Sequence, residues 1–312
     1  MNLTNIKDIL YFSLTAILLA SLVDYVFYIG LISLNGSSIL VWGFLRMYTP
    51  AFSTYIVGGW SEVKNSLKIS RPVFYLYFVA PLITFLTFSI YLIVVYSIGV
   101  FSFDSIKQTV QSASLSASTI ILLTIINAYI ASTNLNALFA VGEEIGWRGF
   151  LQRKLESLGL NFVTASLIVG LVWGIWHALA IILLGFNYPE NRFVGTLLFT
   201  LFTISASIPH SVIRKVSSSI LPAASLHGAI NALWGLTILI TVLPKEIAGL
   251  GPIAIFSWTT TSLIMLMVYR RLKKGSIAHL FLTENFQCFG EISYLRTEVY
   301  CKYYVTKRHD TD

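Results

Sequence analysis

The stretch FVTASLIVGLVWGIWHALAIILL, residues 162 to 184, runs without a single Asp, Glu, Lys or Arg. A helix of this length crosses a hydrocarbon core of about 30 Å. It carries His177, and Trp173 lies one turn earlier on the same helical face. A lone histidine in an apolar helix is typical of packing, so this stretch by itself predicts a membrane span and no chemistry.

The rest of the chain has the same apolar character. Of its 312 residues, 56% are hydrophobic and 11% are charged, with a mean hydropathy of +0.76, whereas a soluble domain carries about 25% charged residues. The sequence predicts an all-α polytopic membrane bundle of about eight transmembrane helices. The predicted spans are Ile9–Leu34, Ile39–Gly58, Val73–Gly99, Ile120–Val141, Phe162–Leu184, Val194–Ile213, Ile220–Leu243 and Ile253–Tyr269.

The positive charge predicts orientation and not a nucleic-acid partner. With the N-terminus in the cytoplasm, 17 of the 21 Lys and Arg residues lie in cytoplasmic loops and tails. The positive-inside rule therefore places both termini in the cytoplasm.

The predicted organisation is an eight-span membrane domain, residues 1–274, followed by a cytoplasmic tail, residues 275–312. Both cysteines, Cys288 and Cys301, lie in the tail without a nearby ligand pattern. They indicate neither a disulfide framework nor a zinc site.

Two adjacent acids follow the predicted fourth span in the sequence EEIGWR. On a helix, Glu144 and Arg148 are four residues apart and form a favourable local ion pair. Glu143 then remains available for chemistry. In the alternative interpretation, both acids hold the arginine at a helix end. The following GFLQRKLESLGL predicts an amphipathic continuation of this span.

The seventh predicted span contains LHGAINALWG, in which His227 and Asn231 project from the same helical face. Such a pair occurs as hydrogen-bonding residues between helices about as often as in functional sites. Gly228, like Gly174 before His177, predicts a close approach of two helices.

Three other polar residues in predicted spans are interpreted as structural. Asp24 and Arg46, in spans one and two, are expected to pair with each other. His210, beside Pro209 near the end of span six, is expected to be a helix-end residue.

Together the three polar clusters indicate hydrolysis, provided that neighbouring spans bring them into one pocket. A carboxylate and an imidazole can take a proton from a water molecule. An imidazole and a carboxamide can stabilise the oxyanion that forms when this water attacks an amide carbonyl. The set therefore predicts cleavage of a peptide bond without a covalent intermediate.

The sequences EEIGWR, WGIWH and HGAIN resemble the three motifs of the CPBP (CAAX protease and bacteriocin-processing) family of intramembrane proteases, which includes the type II CAAX prenyl endopeptidase. The resemblance covers about residues 40–245. It implies that Glu143 and His177 activate the water and that His227 and Asn231 form the oxyanion hole. Glu144, Arg148 and Trp173 would be supporting residues.

The resemblance implies a glutamate-dependent site without a cofactor. The alternative is a zinc site formed by Glu143, His177 and His227. The soluble zinc-protease pattern HExxH is absent from the sequence.

The implied partners are the lipid bilayer and a prenylated or otherwise membrane-tethered peptide. The protein is expected to be an integral multi-pass protein, in the cell membrane of a prokaryote or the endoplasmic reticulum of a eukaryote. The alternative functions are a proton- or ion-coupled transporter and a non-catalytic membrane scaffold or immunity protein. The chain lacks the inverted repeats that are typical of many transporters.

The predicted spans place Glu143 and His177 at different depths in the membrane. Glu143 follows the end of span four, whereas His177 lies about 22 Å into span five at a rise of 1.5 Å per residue. The two residues meet only if the glutamates lie deeper in the bundle than the predicted end of span four.

Overall fold

A computed structural model describes residues 3–33, 35–104, 106 and 116–273 of the chain. These residues contain no β-strand apart from an isolated antiparallel bridge between Phe101 and Thr241. The helices are α1 (Leu3–Tyr28), α2 (Ser38–Met47), α3 (Thr49–Ser66), α4 (Arg71–Val79), α5 (Pro81–Ser97), α6 (Ala117–Thr133), α7 (Leu135–Glu144), α8 (Gln152–Ser157), α9 (Phe162–Leu184), α10 (Arg192–Ser217), α11 (Leu221–Leu239), α12 (Lys245–Ala248) and α13 (Pro252–Lys273). A π-helical segment, Ile145–Leu151, connects α7 to α8. The all-α prediction is confirmed, and Cys288 and Cys301 lie outside the described residues.

The helices confirm a polytopic membrane protein but not the predicted count of eight spans. In the described part of the chain, five segments are long and apolar enough to cross a membrane: Asn5–Tyr28, Arg71–Ser97, Phe162–Leu184, Arg192–Ser217 and Lys245–Lys273. A sixth is added if Ser118–Thr133 and Leu135–Ser157, which meet at a 44° bend, form one span. The predicted spans Ile39–Gly58 and Ile220–Leu243 are helical but are not among these segments. The side on which each terminus lies, and the domain boundary at residue 274, stay predictions.

The predicted second span is broken into two helices. Helix α2 ends at Met47, and α3 begins at Thr49 with Pro50 in its first turn. Proline lacks a backbone N–H and is therefore favoured at the start of a helix. A second interruption lies at Gly59, whose φ of 76° is outside the helical region.

The helix that carries the two glutamates continues past the predicted end of span four at Val141, which bears on the relative depths of Glu143 and His177. The helix continues from Leu135 through the π-helical segment to Ser157. Glu143 thus lies fourteen residues before the end of this segment, and His177 lies fifteen residues after the start of α9. A short connection, residues 158–161, joins the two packed segments, and both side chains line the same cavity.

Close helix approaches occur at both predicted glycines. A Cβ atom at Gly174 would lie 2.6 Å from the Cα of Thr200 in α10. At Gly228 it would lie 2.7 Å from the carbonyl oxygen of Ser132. Both distances are shorter than real Cβ contacts, so α9 packs on α10, and α11 on α6 and α7, only because these positions lack side chains.

The amphipathic continuation of the fourth span is also confirmed. Phe150, Leu151 and Leu155 are buried, whereas the charged residues around them bind neighbouring helices. The ion pairs are Arg153 with Glu62, Lys154 with Asp8, and Lys215 with Glu156.

The predicted pairing of Asp24 with Arg46 is confirmed as well. Arg46 Nε donates to Asp24 Oδ1 at 3.0 Å and to Oδ2 at 3.2 Å, and both residues are buried. This pair links α1 to α2.

Candidate active site

A cavity of about 300 Å³ lies between the helices that carry the three polar clusters. All four residues with an expected catalytic role line it: Glu143 from α7, His177 from α9, and His227 and Asn231 from α11. The remaining lining residues are mostly apolar or aromatic: Trp42, Gly43, Arg46, Met47, Trp173, Phe186, Asn187, Phe199, Phe202, Ile230 and Leu250. The packing of the helices therefore brings residues that are 88 positions apart in sequence into one site.

Glu143 is held by two tryptophans. The indole Nε1 of Trp173 donates to Glu143 Oε2 at 2.7 Å, and that of Trp147 donates to the same oxygen at 3.1 Å. The side chain is 1% exposed. Both donors bind Oε2, so the second oxygen, Oε1, lies towards His227, whose Nε2 is 4.0 Å away. This arrangement fixes the carboxylate and leaves one oxygen for a proton acceptor role.

Trp173 was expected to support the site, whereas the role of Trp147 was not predicted. Trp147 belongs to the EEIGWR motif and follows Glu143 by four residues, a spacing that places two side chains on the same helical face. The signal was therefore present in the sequence. The segment that begins at Ile145 is π-helical and not α-helical, and single π-helical turns occur frequently at functional sites.

Glu144 forms a separate, enclosed network. Arg148 Nη1 donates to Glu144 Oε1 at 2.8 Å, as the spacing predicted, and Arg148 Nη2 donates to Ser207 at 3.2 Å. His227 Nδ1 lies 3.0 Å from the same Glu144 oxygen. Glu144 and Arg148 are both fully buried and do not line the cavity. Glu144 therefore orients His227, and Arg148 neutralises Glu144.

The orientation of His177 determines which of its ring nitrogens donates a hydrogen bond and which accepts one. Its Nδ1 lies 3.0 Å from the carbonyl oxygen of Trp173. Since a carbonyl oxygen only accepts hydrogen bonds, Nδ1 carries the hydrogen, and Nε2 of the neutral ring is an acceptor. The ring packs on Trp176 and Phe199, with centroid distances of 4.6 and 4.3 Å.

His210 is a buried member of the site region and not the helix-end residue that was expected. It lies inside α10 with 0% exposure, and its Nδ1 lies 2.8 Å from the carbonyl oxygen of Ala206. Its Nε2 has no hydrogen-bond partner among the described residues. The neighbouring Pro209 in the sequence suggested a helix end, but α10 continues to Ser217.

The described residues contain one group whose side chains lie close enough to share a metal ion, namely Glu144, His210 and His227. Their ligand atoms lie within 4.8 Å of one another. One carboxylate and two imidazoles are a zinc-type donor set. The set expected from the sequence, Glu143, His177 and His227, does not form such a group.

The surroundings of this group contain both a positive charge and free donor atoms, since Glu144 Oε2 and His210 Nε2 have no hydrogen-bond partner among the described residues. Arg148 binds the same Glu144 oxygen that faces His227, so a full positive charge already lies beside the position of the ion. Two like charges in a low-dielectric interior repel each other strongly.

The sequence was also compared with models of known protein families. Residues 118–233 match the family model described as type II CAAX prenyl endopeptidase Rce1-like. This range is narrower than residues 40–245, but it contains all four residues with an expected catalytic role. No curated protein sequence matches the chain.

The match confirms the resemblance that the three motifs indicated, and it agrees with the apolar helices. Residues 118–233 are thus similar to an Rce1-like domain, and the chain is a multi-pass membrane protein.

Proposed function

We propose that the protein is an endopeptidase that cleaves a prenylated CaaX C-terminal tail by a metal-free, glutamate-dependent mechanism. The observation that carries this proposal is the cavity, because Glu143, His177, His227 and Asn231 all line it. Its apolar walls suit the aliphatic residues of a CaaX tail, while the prenyl group stays in the bilayer.

Water is activated in the first step. The water oxygen attacks the carbonyl carbon of the scissile peptide bond, while its proton moves to Glu143 Oε1 or to His177 Nε2. Both atoms are acceptors, because the other Glu143 oxygen is bound by two indoles and His177 Nδ1 is bound to a carbonyl. General-base catalysis of this kind contributes about 10²- to 10⁴-fold in rate.

The oxyanion is stabilised in the same step. Asn231 donates from its amide, and His227 donates from Nε2. Since His227 Nδ1 also faces a carboxylate, Glu144, the ring that donates from both nitrogens is an imidazolium. Glu143, Glu144, Arg148 and this imidazolium then sum to zero charge, which favours their burial together.

The tetrahedral intermediate then collapses. The carbon–nitrogen bond breaks, and the proton taken from water moves to the leaving amine. The products are a carboxylic acid on the prenylated cysteine, which ionises by releasing its proton to solvent, and a free tripeptide, and no covalent bond to the protein forms.

The transporter and scaffold alternatives receive no support from the family match, which is to an endopeptidase. The zinc alternative has the donor group Glu144, His210 and His227 in its favour and Arg148 against it.

The test uses purified protein in nanodiscs and a farnesylated CaaX peptide, with products identified by mass spectrometry. We expect release of the last three residues by the wild type and loss of release in Glu143→Gln. Glu156→Gln is the matched control, because Glu156 binds Lys215 and does not line the cavity. Failure of folded wild-type protein to cleave the peptide would contradict the proposal.

A further inference from the structure

Arg46 is a cationic side chain in the wall of the cavity and has no role in the mechanism above. It belongs to α2, outside the segment that matches the family model. An arginine buried in an apolar bundle is expensive, and its pairing with Asp24 explains its burial but not its position on the cavity wall. Its surroundings therefore indicate what it binds.

Two groups fix the plane of the guanidinium. Asp24 accepts from Nε, and the carbonyl oxygen of Trp176 accepts from Nη2 at 2.8 Å. The guanidinium carbon also lies 3.8 Å from the ring centroid of Trp176. Asp24 is held in turn by Trp42, whose Nε1 donates to Oδ1 at 3.0 Å. The arginine is therefore rigid before any ligand binds.

These contacts use only part of the donor capacity of Arg46. A guanidinium has five N–H donors, and Nη1 has no acceptor among the described residues. A preorganised arginine with a free nitrogen on a cavity wall suits a carboxylate, because charge-assisted hydrogen bonds are about twice as strong as neutral ones.

We infer that Arg46 binds the free C-terminal carboxylate of the peptide whose bond is cleaved at Glu143. This inference rests on the proposed function. Cleavage of a CaaX tail leaves three residues between the scissile bond and the C-terminus, which span at most about 10 Å when extended. Arg46 and Glu143 line the same cavity, and the inference requires that a substrate with its scissile bond at Glu143 reach Arg46 with its carboxylate. Arg46 would thereby select substrates that end three residues after the cleaved bond.

The first test changes only the substrate. Wild-type protein is given the same farnesylated peptide with a C-terminal carboxylate or a C-terminal carboxamide. We expect kcat/KM to be roughly tenfold to a hundredfold higher for the carboxylate, the range that corresponds to a lost hydrogen bond to a charged group. Equal rates for the two peptides would overturn the role of Arg46 and leave the proposed function intact. Cleavage of neither peptide would overturn both.

The second test changes the protein. The double variant Asp24→Asn with Arg46→Gln removes both charges without leaving a bare carboxylate, and we expect its preference for the carboxylate peptide to fall to about one. Arg192→Gln is the matched control, because Arg192 binds backbone carbonyls and does not line the cavity. The readout is a ratio within one preparation, so a lower folded fraction cancels. A double variant that keeps the wild-type preference would overturn the inference.

Discussion

The two sides of the EEIGWR segment carry the same residue type in opposite environments. On the cavity side, Glu143 is held by two neutral indole donors and keeps one oxygen towards open space. On the packed side, Glu144 is neutralised by Arg148 and enclosed. The difference shows that two adjacent buried carboxylates can have quite different partners, and that only the one with neutral partners, Glu143, lines the cavity.

The largest expected effect comes from replacing the carboxylate on the cavity side. Glu143→Gln keeps the shape and the acceptor for the two indoles but removes the base, so we expect kcat to fall by about 10²- to 10⁴-fold. The unfolding midpoint should stay close to that of the wild type. A Glu143→Gln protein with wild-type activity would contradict the role of Glu143 as the base.

The same change on the packed side should act on stability. Glu144→Gln leaves Arg148 as an uncompensated buried charge, for which about 3 to 5 kcal/mol of unfolding free energy is the typical loss. Unfolding in mixed micelles measures it. The double variant Glu144→Gln with Arg148→Met should recover part of this loss, and purely additive losses would argue against the pair.

Removal of one indole donor to Glu143 should lower catalytic activity without abolishing it. Trp173→Phe takes away the 2.7 Å hydrogen bond to Glu143, and Trp147→Phe takes away the 3.1 Å bond. We expect kcat/KM to fall roughly tenfold to a hundredfold, more for Trp173. Trp258→Phe is the control, because Trp258 is buried but does not line the cavity. Equal losses in all three variants would point to packing.

A smaller loss of stability is expected from a change in α11, the helix that carries His227. Gly228→Ala adds a Cβ against the backbone of Ser132 and Ala137, and overpacking of this kind costs about 1 to 3 kcal/mol. Gly235→Ala in the same helix is the matched control, since nothing lies within 4 Å of its added Cβ. Thermal unfolding of the two variants compares them directly, and equal stability would contradict the close approach.

The smallest effect on activity is expected for His210→Gln. His210 does not line the cavity, so a metal-free site should lose no more than a few-fold in kcat/KM. A zinc site that uses Glu144, His210 and His227 would lose nearly all activity, because His210 would be a ligand. Kinetics on the folded variant therefore separate the two mechanisms.

The sequence predicted the all-α fold and the pairing of Glu144 with Arg148 because both depend on local patterns. Apolar runs mark α1, α9 and α10, and spacing of four residues predicted the pairing of Glu144 with Arg148. The burial of the glutamates was not predicted, because hydropathy falls at the first charges, whereas the helix continues to Ser157 with both glutamates buried.

Long-range contacts were harder to predict. The pairing of Asp24 with Arg46 was expected from their rarity in apolar spans, but the position of Arg46 on the cavity wall depends on how α2 packs. The burial of His210 beside Glu144 likewise depends on the approach of α10 and on a proline that does not end its helix. No short pattern encodes these contacts.

Metal dependence tests the central claim, that Glu143 activates water in a metal-free cavity, most directly. Protein stripped with a chelator is checked by elemental analysis, and its cleavage of the farnesylated CaaX peptide is measured before and after addition of Zn²⁺. We expect full activity at substoichiometric metal and no gain from Zn²⁺. Activity that is lost on stripping and returns in proportion to bound Zn²⁺ would contradict it.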